Sequence, residues 1–528
     1  IEVVKGPNAA LFGFNAVSGV VNIIPYNPQY DTVGAATAGV SSHNGRELSL
    51  VHTLRLSPKF AARLSAGVSK NDEWDNSGVP ASQYRPEASR SSANVDAVWS
   101  LTDTTSLRFE TSLSEAQQSD MVSNYDMAVS KYDTASAKVD LTTETAAGLI
   151  TATAYRNSLI PKSNVGTGFV LRNTISVASL QDLFKRGDHT FRLGIEARKN
   201  QMDTAPYPGG EVSYTVVAPS AMWAWAVNDA VSTDIAVRYD SLSLQRTGSF
   251  PAGFPLADNA NWDRDIKEWS YNAGAVWRVS PSDTVRLMAA RGVQVPTLVE
   301  FGGLQMPVPV MPGVTIAVMG NPGLEPAVVD NAEISYDHSF AAVKLGVRLF
   351  SQQTSGIKGQ PSSSEFFQAP TLTTYPAISW TNIGDSEMTG YEVSLSGKLD
   401  GGFHWSADYT GTDVKDTAGA GHDLEGRLAA YGDTTPDYRA NLAFGWTGGK
   451  WTLDAFVHAT GAFEIYAQPT YALMPVEAYT TFAAHVGYDL GNGMRVDVSG
   501  QNLGKSRQVQ TSGLKVPQTV YLTLSKRW

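Results

Sequence analysis

From about Asp31 to Trp528, apolar residues alternate with small or polar ones at a period of two. Such alternation belongs to strands with one face in an apolar medium and the other in water. In the stretch AAVKLGVRLF, Val343, Leu345, Val347 and Leu349 fall on one face, and Lys344, Gly346 and Arg348 on the other. A helix would scatter those charges. The same division sets Leu442, Phe444 and Trp446 against Asn441, Ala443 and Gly445. It also sets Met494, Val496 and Val498 against Arg495, Asp497 and Ser499. By itself the pattern fits either a membrane barrel or a β-sandwich.

Connection lengths separate the two, because membrane barrels alternate tight turns on one side with longer loops on the other. Tight connections fall at Ser57-Pro58-Lys59, Thr102-Asp103-Thr104, Thr142 to Thr145, Lys185 to Asp188 and Asn228-Asp229. Five more fall at Ser280 to Asp283, Asp337-His338-Ser339, Asp400-Gly401-Gly402, Thr447 to Lys450 and Gly491-Asn492-Gly493. Each carries Gly, Pro, Asn, Asp, Ser or Thr turn chemistry. With the eleven mostly longer connections between them, these ten turns predict 22 strands. The fold class is therefore all-β: a 22-stranded antiparallel transmembrane β-barrel.

Aromatic residues crowd the tight-turn ends. Trp99, Phe184, Trp225, Trp277, Trp446 and Tyr488 precede turns, while Phe340, Phe403 and Trp451 follow them. An interfacial girdle requires such placement, and ordinary hairpin packing is the competing reading.

Composition removes other classes. The 528 residues include no cysteine, which excludes disulfide scaffolds and thiolate metal sites. No apolar run approaches the roughly 20 residues of a membrane helix. A net charge of −11 argues against nucleic acid as a partner.

Five segments carry a family resemblance. The first is the opening IEVVKGPNAALFGFNAVSGVVNIIPYNP. Next come ARGVQVPTLVEFGG from Ala290, GNPGLEPAVVDNAEISY from Gly320 and TNIGDSEMTGYEVSL from Thr381. The last is NLGKSRQVQTSGLKVPQTVYLTLSKRW from Asn502. In this order they resemble landmarks of the TonB-dependent outer-membrane receptors, along essentially the whole chain.

The resemblance implies that residues 1–28 are the C-terminal end of a plug domain, truncated at its start, and that 29–528 form the barrel. Glu2, Lys5, Gly6, Pro7, Gly13, Asn15, Ala16, Gly19 and Asn22 match the plug pattern, with Lys5 where the family generally has arginine. That arginine pairs with barrel glutamates in relatives, so a plug-to-wall latch of Lys5, Glu333 and Glu392 is expected. Three independently solvated lumen charges are the competing reading. Gly6, Gly13 and Gly19 suit tight turns, while Val20, Val21, Ile23 and Ile24 read as a buried strand. Trp528, ending the strand in which Val520, Leu522 and Leu524 alternate with Tyr521, Thr523 and Ser525, is the expected signal for the barrel-assembly machinery. Lys526 interrupts that apolar face near the interface, where a long basic side chain can snorkel.

As function, the resemblance implies import of a scarce substrate through a plugged barrel in the outer membrane of a Gram-negative bacterium. The energising partner would be TonB with ExbB and ExbD, reached through a segment upstream of Ile1. The substrate is a small molecule or metal chelate, first an iron-siderophore, then oligosaccharide, haem or cobalamin. A passive porin-like channel and a barrel scaffold for partner proteins are the alternatives.

Aromatic-rich loops carry the candidate substrate contacts: Tyr207, Phe254, Trp262, Phe366, Phe367, Tyr375, Trp380, Tyr466 and Tyr471. Aromatic faces suit sugars, catecholates and porphyrins, and each residue also fits the membrane-interface belt. Eight histidines never fall at ligand spacing, so no metal site and no cofactor are expected. Met306, Met311 and Met319 share one loop and read as its packed core before they read as copper ligands. His422, Asp423 and Glu425 lie in a Gly-rich loop without a visible nucleophile, so no enzyme activity is expected.

Overall fold

Strand alternation and turn chemistry produce a closed antiparallel barrel. The computed structural model describes residues 1–528 except 75–80, 122–124, 126, 165–167, 205–208, 251–255, 312–313, 362–376 and 468–469. Twenty-two strands form the wall, and the two-residue strand Phe169–Val170 extends one loop hairpin. Closure joins the first wall strand, Gly34–Ser41, to the last, Thr519–Arg527, in register from Ala35 opposite Arg527 to Ser41 opposite Tyr521. The Trp528 amide donates to Gly34 O at 3.1 Å, and its ring stacks on His52 at 6.0 Å. Gly34 has no Cβ because one would lie 2.6 Å from Trp528 Nε1.

The ten expected turns separate consecutive strands, with small shifts. The strand Met127–Glu144 takes in Thr142 and Thr143, and its turn closes when the Thr145 amide donates to Gly148 O at 2.9 Å. Asp337, His338 and Ser339 likewise belong to the strand Ala327–Ser339, and the turn follows at Phe340, whose amide donates to Val343 O. In both hairpins the ladder runs past the polar turn signals, and the connection is left to small residues, Ala146-Ala147 in one and Ala341-Ala342 in the other.

Face assignments follow the alternation. Leu349, Leu442, Phe444, Val498, Leu522 and Leu524 are exposed on the outer surface, where lipid covers a barrel of this kind. Aromatic side chains band that surface in two rows. Near the tight turns, Phe403 lies 6.0 Å from Trp446 and Trp451 4.5 Å from Tyr488. Nearer the long loops, Tyr239 lies 4.8 Å from Trp269, and Tyr409 stacks on Tyr438 at 5.8 Å. Lys526 bends its ammonium to Asn492 O at the turn edge.

The inner face is polar and ion-paired. Arg108 grips Asp96 with two 2.8 Å bonds, Lys138 lies 3.2 Å from Glu110 and 2.7 Å from Asp140, and Thr153 donates to Asp140 at 2.6 Å. Further round the wall, Arg238 joins Glu196 at 3.1 Å and Asp240 at 2.9 Å, with Arg198 3.1 Å from Glu196. At the long-loop end the lining becomes apolar. There Val212, Tyr214, Val216, Leu242 and Leu244 pack with loop residues Trp262, Leu298, Phe301, Met319 and Leu324.

Candidate functional site

Residues 5–18 lie against the inner wall and supply one half of the site. Glu2–Lys5 and Gly19–Asn22 pair as an antiparallel hairpin, and Asn22 Nδ2 donates to Glu2 at 2.9 Å. Gly6, at φ +78°, turns the chain inward, where Met288 and Asn331 would meet a Cβ. Pro7 O accepts from the buried Asn272 at 2.6 Å, and a short helix, Ala9–Phe12, follows. Gly13, at φ +83°, ends that helix against the Arg238 and Arg198 guanidiniums, 3.1 and 3.4 Å from where its Cβ would be.

The sequence-predicted strand through Val20, Val21, Ile23 and Ile24 differs in the structure. Pairing stops at Asn22, and Val21, Ile23 and Ile24 are 62%, 68% and 64% exposed. A two-stranded hairpin has no second layer to cover its apolar side chains.

Lys5 Nζ lies 2.6 Å from Glu392 Oε2. Glu333 faces Arg348 instead: Arg348 Nε is 2.8 Å from Glu333, and its terminal nitrogen is 3.3 Å from Glu392. The three residues singled out from sequence therefore belong to one cluster, with Lys5 and Glu333 linked through Arg348. Alternation had already placed Arg348 inside, but its bridging position depends on register, which alternation alone does not supply.

The other half of the site is a core of loops at the long-loop end, where three of the sequence landmarks meet. Thr297 Oγ1 accepts from the Glu300 amide at 3.2 Å and Glu300 accepts from the Thr297 amide at 2.6 Å, capping the helix Leu298–Gly302. Glu300 also pairs with Lys358 at 2.9 Å. Gly320 packs so closely on that helix that a Cβ would lie 2.3 Å from Gly302 N. Asn321 Nδ2 donates to Trp380 O at 3.0 Å, and Asn382 Nδ2 donates to Glu325 O and Gly356 O at 3.0 and 2.8 Å. Arg427, buried, donates to Ser379 O at 2.9 Å and to Thr381 Oγ1 at 2.5 Å.

The aromatic candidates divide. Trp262 is buried in the loop core with its Nε1 donating to Phe301 O at 2.9 Å, and Tyr466 is buried with its hydroxyl accepting from the Ala430 amide. Burial pushes the Tyr466 hydroxyl up to about 12, so it is neutral and spent on packing. These two rings present no face to a ligand. Trp380 is half-buried and donates to Gln360, and Tyr471 is exposed. Tyr207, Phe254, Phe366, Phe367 and Tyr375 lie outside the described residues.

Met319 is buried in the loop core, as expected of a packed thioether. The side chains of Met306 and Met311 lie outside the described residues. Asp423 caps a turn by accepting from the Gly426 amide at 3.1 Å. Sequence reasoning missed the buried Arg238, Asp240 and Glu196 network and the role of Asn272. The spacing of Arg238 and Asp240, two apart on one strand, was the available signal.

A family model described as TonB dependent receptor-like, beta-barrel, matches residues 11–503. Among curated proteins, no sequence matches. Solved structures with the same architecture include the FrpB iron transporter from Neisseria meningitidis (F3-3 variant), at TM-score 0.77 and 12% identity, covering 100% of this chain and 87% of that one. The siderophore receptor PirA from Acinetobacter baumannii superposes at TM-score 0.76 and 15% identity, covering 100% and 84%. The ferric-catecholate import receptor Fiu from E. coli superposes at 0.74 and 14%, covering 99% and 85%. At these identities the likeness establishes the fold.

Proposed function

Since the chain belongs to the TonB-dependent receptor family, whose barrels sit in the Gram-negative outer membrane, we propose that it imports an iron-siderophore chelate through its 22-stranded barrel. Residues 1–28 act as the C-terminal end of the plug, and 29–528 form the barrel. The tight turns face the periplasm and the long loops face outward. The observation that carries this reading is the docking of the N-terminal segment inside the wall. Its contacts include a Lys5 to Glu392 ion pair at 2.6 Å and an Asn272 bond to Pro7 O at 2.6 Å.

A transporter must hold its plug firmly enough to close the lumen and loosely enough to release it under load. Lys5, Glu392, Arg348 and Glu333 form the latch in this reading. Lysine contributes a point charge without the bidentate fork of arginine, which suits a releasable contact. Trp380 and Tyr471 remain as aromatic ligand contacts, beside the candidates outside the described residues. The pull is supplied by TonB with ExbB and ExbD, and the terminal strand ending at Trp528 is read by the barrel-assembly machinery.

The three structural relatives are named as an iron transporter, a siderophore receptor and a ferric-catecholate importer, which supports iron-siderophore as the first substrate class. Growth of a deletion strain under iron starvation, compared with carbohydrate limitation, tests it. A defect confined to iron starvation is expected. Unimpaired growth there, with a defect on a limiting oligosaccharide, would transfer the reading to sugar import.

A further inference from the structure

The barrel ladder opens between two neighbouring wall strands. The strand Arg264–Arg278 pairs with Asp283–Gln294 only as far as Tyr271 opposite Arg291. On its other side, Asp283–Gln294 stays paired to its end, at Gln294 opposite Ala327. Above Arg291, one edge of the strand is therefore left unpaired by the wall, a position that invites another backbone.

Asn15 takes that edge. Its amide donates to Val293 O at 2.9 Å, and its Oδ1 accepts from the Val295 amide at 2.9 Å. One residue thus supplies both a donor and an acceptor, as a paired strand would. Asn15 does so at φ +72°, a conformation that asparagine tolerates better than most residues. Gly292 makes room, because a Cβ there would lie 3.0 Å from Pro7 Cβ and 3.1 Å from Val17 Cγ1. Beside Asn15, Phe14 is only 6% exposed and belongs to the loop core with Val293, Val295, Leu298, Phe301 and Trp262.

We infer that Asn15 and Phe14 are positioning residues that couple the N-terminal segment to the external loop core, so that withdrawing the segment unlocks residues 293–303. This rests on the import reading only in taking the segment as the part that moves. The coupled element is pinned at two ends. Below, it holds Asn15 and Phe14; above, Thr297 and Glu300 cap its helix, the Trp262 ring donates to Phe301 O, and the Gly320 amide donates to Gly303 O at 2.6 Å. Withdrawal strips the Val293 carbonyl and Val295 amide of their partners and leaves a hole where Phe14 was. The loops that close over a ligand then loosen as the path beneath them opens. By linkage, disturbing the loop core must in turn loosen residues 8–18.

Hydrogen exchange on the full chain in micelles tests the coupling without any ligand. Asn15→Gly keeps the backbone conformation and loses Oδ1, whereas Asn15→Asp keeps an acceptor. Asn15→Gly and Phe14→Ala should raise exchange at 295–303 by about tenfold, with Trp451–Thr460 unchanged and Asn15→Asp close to the parent. Phe301→Ala should raise exchange across 8–18. Unchanged exchange at 295–303 in both Asn15→Gly and Phe14→Ala overturns the inference, as does unchanged exchange at 8–18 in Phe301→Ala. A protein that keeps this exchange coupling yet imports nothing would instead count against the import reading alone.

Discussion

Lys5 Nζ and Glu392 Oε2 stand 2.6 Å apart across 387 residues of sequence. The contact ties the N-terminal segment to the wall, but the lysine side chain is 63% exposed, so water screens the pair. Lys5→Ala should therefore cost under about 1 kcal/mol of docking. Proteolysis or hydrogen exchange at residues 2–8 should rise a few-fold, and Lys5→Arg should lower it by offering a fork. No change at residues 2–8 in Lys5→Ala would remove Lys5 from the latch.

Arg238 is a different case, because it is 5% exposed and its partner Asp240 is fully buried. Arg238→Ala leaves the Asp240 charge unpaired in the wall, at a cost of about 3–5 kcal/mol. Barrel unfolding in urea should show that loss. A cost below about 1 kcal/mol would mean that water replaces the guanidinium freely.

Gly292→Ala should displace the N-terminal segment and spare the barrel, since the added methyl meets Pro7 and Val17 at 3.0 and 3.1 Å. The unheated variant should run on gels as the unheated parent does and show a larger single-channel conductance. Parent-like conductance would show that the segment accommodates the methyl.

Gly320→Ala drives a methyl into the Gly302 backbone at 2.3 Å, where no side chain can swing away. The loop core should open, with faster proteolysis between 298 and 325 and an intact barrel. Cleavage at the parent rate would mean that Gly320 is not packed on the Gly302 backbone.

The barrel was legible because alternation reports two solvents and turn chemistry reports hairpin ends. Arg348 facing inward and Leu349 outward needed nothing more. The segment from Ala290, the Gly320 loop and the Thr381 segment were recognisable separately, but their meeting in one loop core was not. That meeting depends on which strands neighbour one another. Trp262 and Tyr466 show the same limit: an aromatic ring in a loop has one sequence signature whether it faces a ligand or fills a core. The exposed Ile23 and Ile24 show the converse, since apolar residues read as buried only where a second layer covers them.

Import through this barrel should require energy, and iron uptake with and without the proton-motive force measures that requirement. Cells carrying the full protein are given radiolabelled iron on a siderophore that they bind, and a protonophore is then added. Surface binding should persist while uptake stops. Uptake that continues unchanged in de-energised cells would contradict energised import and leave a passive channel.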